Sequence, residues 1–172
     1  MAVTTTPATE TMSAPSVVES LHTTVLGTMT STWTTAGLFS LRWEDRQTDR
    51  DGVDFCDGRA EDLDQRLHEY FGTGHAAFDG VTLDDQGWTE FTKRVYQCCR
   101  AITPGTTITY KELAHRAGNG AASRAVGAAM ARNRVLLVIP CHRVVGAGGG
   151  LRGFSAPGGL QTKQFLLDLE SE

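Results

Sequence analysis

A chain of 172 residues with 40% apolar and 21% charged side chains can bury a real core, as one domain or as two small ones. It contains no run approaching the roughly 18 apolar residues that a membrane span needs. The net charge of −4 is unevenly divided, with −10 over residues 1–87 and +6 over residues 88–172; the basic half is either ordinary solvated surface or the footprint of a polyanionic partner.

Residues 1–18 are rich in Thr, Ala, Ser and Pro and carry no basic side chain. They lack the positive start and apolar centre of a secretory signal, so they read as a disordered tail and argue against export. The stretches 25–33 and 37–43 are β-branched and aromatic and predict two short strands around a turn at Thr34–Gly37. An acidic, polar loop follows over 45–58. Leu63, Leu67, Tyr70 and Phe71 share one face of a helix over 61–71, which Gly72-Thr73-Gly74 should stop. Residues 78–83 predict a further strand and 84–87 a linker. The expected organisation is therefore a tail (1–18), an N-terminal α/β domain (19–87) of structural purpose, and a C-terminal domain (88–172).

The second half changes character. Thr89 can cap a helix to about Ile102, with Phe91, Val95, Cys98 or Cys99, and Ile102 facing inward. After a turn at 103–106, Thr109 can cap a short helix from Tyr110 to Arg116, closed by Gly118-Asn119-Gly120. A second helix runs over 121–132. Two short helices about a Gly-containing turn fit a helix-turn-helix, whose second helix meets DNA, and equally an ordinary helical hairpin. The second helix is slender: Ala121, Ala122, Ala125, Gly127, Ala128 and Ala129 permit close backbone approach to a helix or a nucleic-acid groove, and Arg124 is the single long cation near its start. Arg132 and Arg134 add positive charge at the far end. Asn133 can end the helix or hold the backbone of the following turn.

The apolar run Val135-Leu136-Leu137-Val138 predicts a buried strand or extended segment, and Pro140 ends any ladder because it has no N–H. Cys141-His142-Arg143 comes next, at the end of a rigid element rather than packed within it. A thiol works as a nucleophile only as thiolate, and neighbouring positive or hydrogen-bonding groups favour that form. Cys56, Cys98, Cys99 and Cys141 show no C-x-x-C pair, and the five histidines have no paired helical spacing. A disulfide framework and a metal site are therefore not expected, and a reducing cytoplasm fits. Residues 145–159 hold a Gly-rich loop without the Walker pattern, which suggests one wall of a pocket. A last helix over 162–170 ends at Glu170. A carboxylate there opposes the helix dipole; it is either a solvated chain end or kept for another purpose.

Ile-Pro-Cys-His-Arg-Val (139–144), the upstream Ser-Arg-Ala-Val-Gly-(x)5-Asn (123–133) and the downstream Lys-(x)2-Leu-Leu-(x)2-Glu (163–170) resemble the methylated-DNA–protein-cysteine methyltransferases, the O6-alkylguanine-DNA alkyltransferases of direct repair. The resemblance covers residues 88–170. It implies an α/β (α+β) architecture: a small ribonuclease-H-like N-terminal domain, then a mostly helical, winged-helix-like domain with a helix-turn-helix. It implies that Cys141 accepts the alkyl group, that His142 acts through a water as its base, that Glu170 polarises His142, and that Asn133 braces the turn. Tyr110 would sit by the flipped base and help protonate the leaving guanine. Arg124 would enter the duplex in the base's place, with Ala125, Gly127 and Tyr110 also against DNA. Met130, Val144, Phe154 and Ser155 would line the base pocket.

The implied reaction is a single-turnover transfer from O6-alkylguanine, with O4-alkylthymine as a second substrate, after base flipping and without cofactor or metal. The partner would be double-stranded DNA containing alkylated guanine. The protein would be a cytoplasmic monomer with no membrane attachment, associated with the nucleoid if bacterial.

Two departures stand out: Asn133-Arg134 where the family has Asn-Pro, and Gly153-Phe154 where it has Gly-Tyr. Three other readings compete. A lesion-binding relative without transfer would lack the cysteine, a Cys–His hydrolase would need papain-like or caspase-like flanks, and a winged-helix regulator would leave Cys141 idle.

Overall fold

The computed structural model describes residues 17–44 and 58–171, so residues 1–16 of the expected tail and nearly all of the 45–58 loop lie outside the described residues, while Val18, expected to end the tail, instead opens a strand. The chain is a mixed α/β fold. Strands β1 (Val18–Thr24), β2 (Gly27–Trp33) and β3 (Leu38–Trp43) form an antiparallel meander in that order. β1 is a strand that hydrophobic alternation does not reveal, because its buried face is polar: Ser20 and His22 point inward. The expected strand over 25–33 begins at Gly27 instead, since Val25 and Leu26 form the hairpin turn.

The buried polar face of β1 is satisfied by neighbours. His22 Nδ1 lies 3.0 Å from Asp64 Oδ1, and Nε2 lies 2.8 Å from Ser31 Oγ, which accepts from Trp33 Nε1 at 3.1 Å. Ser31 is wholly buried, so this serine–histidine–aspartate chain admits no substrate and serves to tie the sheet to the helix that covers it.

That helix, α1 (Gly58–Thr73), extends beyond the expected 61–71 and buries Ala60, Leu63, Leu67 and Tyr70. It ends at Gly74, whose φ of 72° is left-handed and whose N–H donates to the Tyr70 carbonyl. The strand expected over 78–83 is absent. The Val81 N–H donates to the Phe78 carbonyl around Asp79-Gly80, and this turn leaves only a single bridge, Leu83 to Leu38.

Helix α2 (Glu90–Arg100) starts as expected at Thr89, whose hydroxyl accepts from the Thr92 N–H. Val95, Cys99 and the following Ile102 are buried, as is Tyr96, whose hydroxyl donates to the Ala129 carbonyl at 2.8 Å. Strand β4 (Ile108–Thr109) runs straight into α3 (Tyr110–Arg116), capped by Thr109 on the Glu112 N–H. After residues 117–122, α4 (Ser123–Ala131) packs against α3 and α2. β5 (Val144–Val145) pairs parallel to β4, and α5 (Leu160–Leu169) closes the fold over the Cys141–Arg143 turn.

The run at 135–138 is buried but is not a strand. Val135 forms one bridge to Leu41, then Leu137 takes φ 67°, the one left-handed non-glycine among the described residues. Val138 and Ile139 donate back to Leu136 and Val135, closing a tight apolar turn that delivers Pro140 and Cys141. A short apolar run has the same periodicity signal whether it extends or turns.

Candidate active site

Cys141 opens a 3₁₀ turn, Cys141–Arg143, and is 7% exposed, so the thiol is packed within the fold rather than presented on its surface. The helix-ending Asn133 holds the turn at both ends. Its Oδ1 accepts from the Val135 N–H at 2.9 Å, and its Nδ2 donates to the Ile139 carbonyl at 2.9 Å. Burial raises the Cys141 thiol above its usual range. A hydrogen bond to the Asn133 side chain, the nearby Lys163 charge and local backbone amides pull the other way without cancelling the rise. At rest the thiol keeps its proton, so it needs a base.

His142, the next residue, is chemically suited to act as a base. It is buried, and burial lowers its affinity for a second proton even though the Glu170 hydrogen bond and charge oppose the shift. Its Nε2 lies 2.7 Å from Glu170 Oε1. Burial pushes the Glu170 carboxyl upward, but hydrogen bonds from His142 and Arg143 outweigh it and hold the group at about 2. An ionised carboxylate can only accept, so Nε2 carries the hydrogen and Nδ1 is left with a bare lone pair; this assignment follows from the hydrogen-bond network. Nδ1 is buried and has no hydrogen-bond partner among the described residues.

Glu170 is 2% exposed and far from a solvated chain end. The Tyr70 hydroxyl donates to Oε1 at 2.7 Å, the Arg143 guanidinium reaches both oxygens at 2.9 Å, and the Gly105 N–H donates to Oε2 at 3.2 Å. Two glycines make this approach possible. A Cβ at Gly74 would sit 2.0 Å from the Leu169 carbonyl oxygen, and one at Gly105 would sit 2.9 Å from that of Glu170. Tyr70 and Gly105 are not legible as site residues, and the Arg143 guanidinium, next but one to the thiol in sequence, is spent on Glu170 instead. Tyr70 sits at helical spacing with Leu63 and Leu67 and reads as core; only the buried carboxylate opposite its hydroxyl reveals its role. Lys163 is fully buried and donates to the carbonyls of Val144 at 2.6 Å and Arg152 at 3.2 Å, pinning the Gly-rich segment beside the turn.

The remaining expected residues fall into three groups. Tyr110 is half-buried at the start of α3, and burial, then the neighbouring Cys141, raises its hydroxyl. Arg124 and Ala125 are exposed and Gly127 half-exposed on α4, and Arg124 makes no hydrogen bond or ion pair among the described residues. Of the four pocket residues, Phe154 is half-buried with its ring edge-on to His142 at 6.4 Å, and Ser155 is exposed. Ser155 lines a cavity of about 380 Å³ with Asn133, Leu136, Trp43, Arg42 and Arg132. Met130 is buried against Cys99, and Val144 has no exposed surface, so neither lines an open pocket in this conformation.

Fold and site together define a protein with one buried thiol on a rigid turn, a neutral imidazole and carboxylate behind it, and a pair of short helices alongside. The model of the DNA-binding domain of 6-O-methylguanine DNA methyltransferases matches residues 90–172. The methylated-DNA–protein-cysteine methyltransferase of Methanosarcina acetivorans is 46% identical over 106 residues, 62% of this chain and 65% of that protein. That of Mycolicibacterium paratuberculosis is 43% identical over 106 residues, 62% of each. These alignments thus cover somewhat under two thirds of each relative's length.

Crystal structures of the Mycobacterium tuberculosis O6-methylguanine methyltransferase extend the likeness to both halves, at 32% identity and TM-score 0.73 over 91% of this chain and 93% of that one. A second, of that organism's enzyme in complex with DNA, superposes with TM-score 0.71 at 32% identity over 88% and 91%. The chain belongs to the methylated-DNA–protein-cysteine methyltransferase family.

Proposed function

We propose that this protein repairs DNA by moving the alkyl group of O6-alkylguanine onto its own Cys141. One observation carries the reading: Glu170 holds the Nε2 hydrogen of His142, so the free Nδ1 lone pair is available to take the Cys141 proton, through a water. The resulting thiolate attacks the alkyl carbon. An S–C bond forms as the O6–C bond breaks, and the electron pair goes to guanine, which Tyr110 protonates. The proton held by His142 restores Tyr110, so the net exchange is thiol hydrogen for alkyl group. A thioether has no easy hydrolytic exit, so each molecule reacts once.

O6 is poorly accessible within stacked DNA, so the reaction requires the nucleotide to be extruded. Arg124 fills the gap in this reading, supported by its exposure on the slender α4, with Ala125 and Gly127 admitting the backbone. Phe154 and Ser155 flank the base. The α3–turn–α4 pair with the β4–β5 ladder supports a winged-helix-like, helix-turn-helix domain over 88–172. The β-meander with α1 supports a ribonuclease-H-like domain over 19–87. Action as a cytoplasmic monomer on double-stranded DNA, and O4-alkylthymine as a further substrate, belong to the same reading.

The test is intact-protein mass after incubation with a duplex containing one O6-methylguanine, followed by peptide mapping. One methyl on the Cys141 peptide, saturating at one per protein, is expected. An unchanged mass despite lesion binding would refute the transfer.

A further inference from the structure

Arg134 follows the brace residue Asn133, yet its guanidinium leaves that half of the molecule. Nε donates to the Phe39 carbonyl at 2.6 Å, and one terminal nitrogen donates to the carbonyls of Asp84 at 2.8 Å and Gln86 at 3.1 Å. The guanidinium also stacks 3.9 Å from the Phe39 ring centroid and 5.0 Å from that of Trp88. The backbone joins in: the Leu41 N–H donates to the Arg134 carbonyl at 2.8 Å, and the Leu136 N–H donates to the Leu41 carbonyl at 2.9 Å. Residues 134 and 136 therefore straddle Leu41 of β3. Three main-chain carbonyls from two separate segments converge on one side chain, which is more than a surface arginine needs for solvation.

The segment held in this way is the one on which the thiol's geometry depends. Asn133 bonds both ends of the turn that delivers Cys141, and Arg134 stands between Asn133 and its Val135 contact. We infer that Arg134 is a positioning residue for alkyl transfer: by gripping the carbonyls of Phe39, Asp84 and Gln86 it holds the backbone at Asn133, and through Asn133 it aims the Cys141 turn. The inference rests on Cys141 being the alkyl acceptor. It gives the N-terminal half a part in the reaction, as the frame that Arg134 grips.

The experiment compares wild type with Arg134→Ala and Arg134→Lys, each shown by circular dichroism to be folded at the assay temperature. Two reactions of Cys141 are followed by mass: benzyl transfer from free O6-benzylguanine, which demands an aimed sulfur, and carboxamidomethylation by iodoacetamide, which demands only a reachable one. Arg134→Ala should slow benzyl transfer about tenfold or more, because small misplacements of reacting atoms are costly. Its iodoacetamide reaction should hold or rise. Arg134→Lys, able to reach one carbonyl at a time, should fall between; it carries the test if the alanine variant does not fold. In an Asn133→Ala background, Arg134→Ala should add little further loss.

Wild-type transfer rates in both variants, equal loss in the two reactions, or fully additive losses with Asn133→Ala would each overturn the inference. A wild-type chain that takes neither a benzyl group nor the methyl of an O6-methylguanine duplex, while Cys141 reacts normally with iodoacetamide, would instead overturn the alkyl-acceptor reading beneath it.

Discussion

Glu170 shows how one side chain can hold a site together. It receives His142, Arg143 and Tyr70 out of water, and the Gly105 N–H from the more exposed side, on two oxygens. Substituting Glu170→Gln keeps the shape but removes the charge that Arg143 and His142 are arranged around. Breaking a buried ion pair from one side costs about 3–5 kcal/mol. A drop of that order in urea-unfolding stability is expected, together with lost benzyl transfer; a variant as stable as wild type would remove the central carboxylate from this account. At this scale the sequence was partly informative. Cys141 stands out by residue type and setting, whereas the parts expected of His142 and Glu170 come from the family resemblance, and Asn133 reads equally as a helix end or a brace until its two backbone hydrogen bonds are seen. Arg134 reads in the sequence as positive charge and as a departure from the family's Asn-Pro, and Tyr70 reads as core; the partners of both lie on segments distant in the chain.

Helices were easier to read than strands, and the reason lies in where polar residues point. Thr89 and Thr109 announce α2 and α3 through cap chemistry that acts over three residues. β1 hides because it buries Ser20 and His22, and the 135–138 turn hides because it buries everything. That turn offers a direct comparison. Leu136 and Leu137 are similarly buried, but only Leu137 has a left-handed backbone, which costs an L-residue roughly 1–2 kcal/mol and costs glycine little. Leu136→Gly should therefore destabilise the protein more than Leu137→Gly, by about 1 kcal/mol in denaturant melts. Equal losses would mean that the left-handed residue carries no strain.

Across the whole molecule the ionisable interior predicts a pH dependence. His22 and His142 are both held below the usual 6.5, burial being the leading cause in each. The unfolded chain takes up protons near that value which the fold resists, so their contribution is full above pH 6.5 and is lost as pH falls below it. Glu170, at about 2 against 4.5, adds a second loss as pH falls from 4.5 toward 2. Urea midpoints should therefore decline steadily from about pH 7 to about pH 4 and beyond, and a flat profile would contradict the burial of these groups.

The Tyr70–Glu170 hydrogen bond joins residues 100 positions apart. During synthesis Cys141 and His142 leave the ribosome before α5 does, and until α5 docks, His142 has no carboxylate to set its tautomer. A nascent chain, or one cut short before Leu160, would carry the thiol and the imidazole without the carboxylate that holds the imidazole. The assembled site then arrives late and all at once, with the docking of the last helix rather than with the appearance of the cysteine.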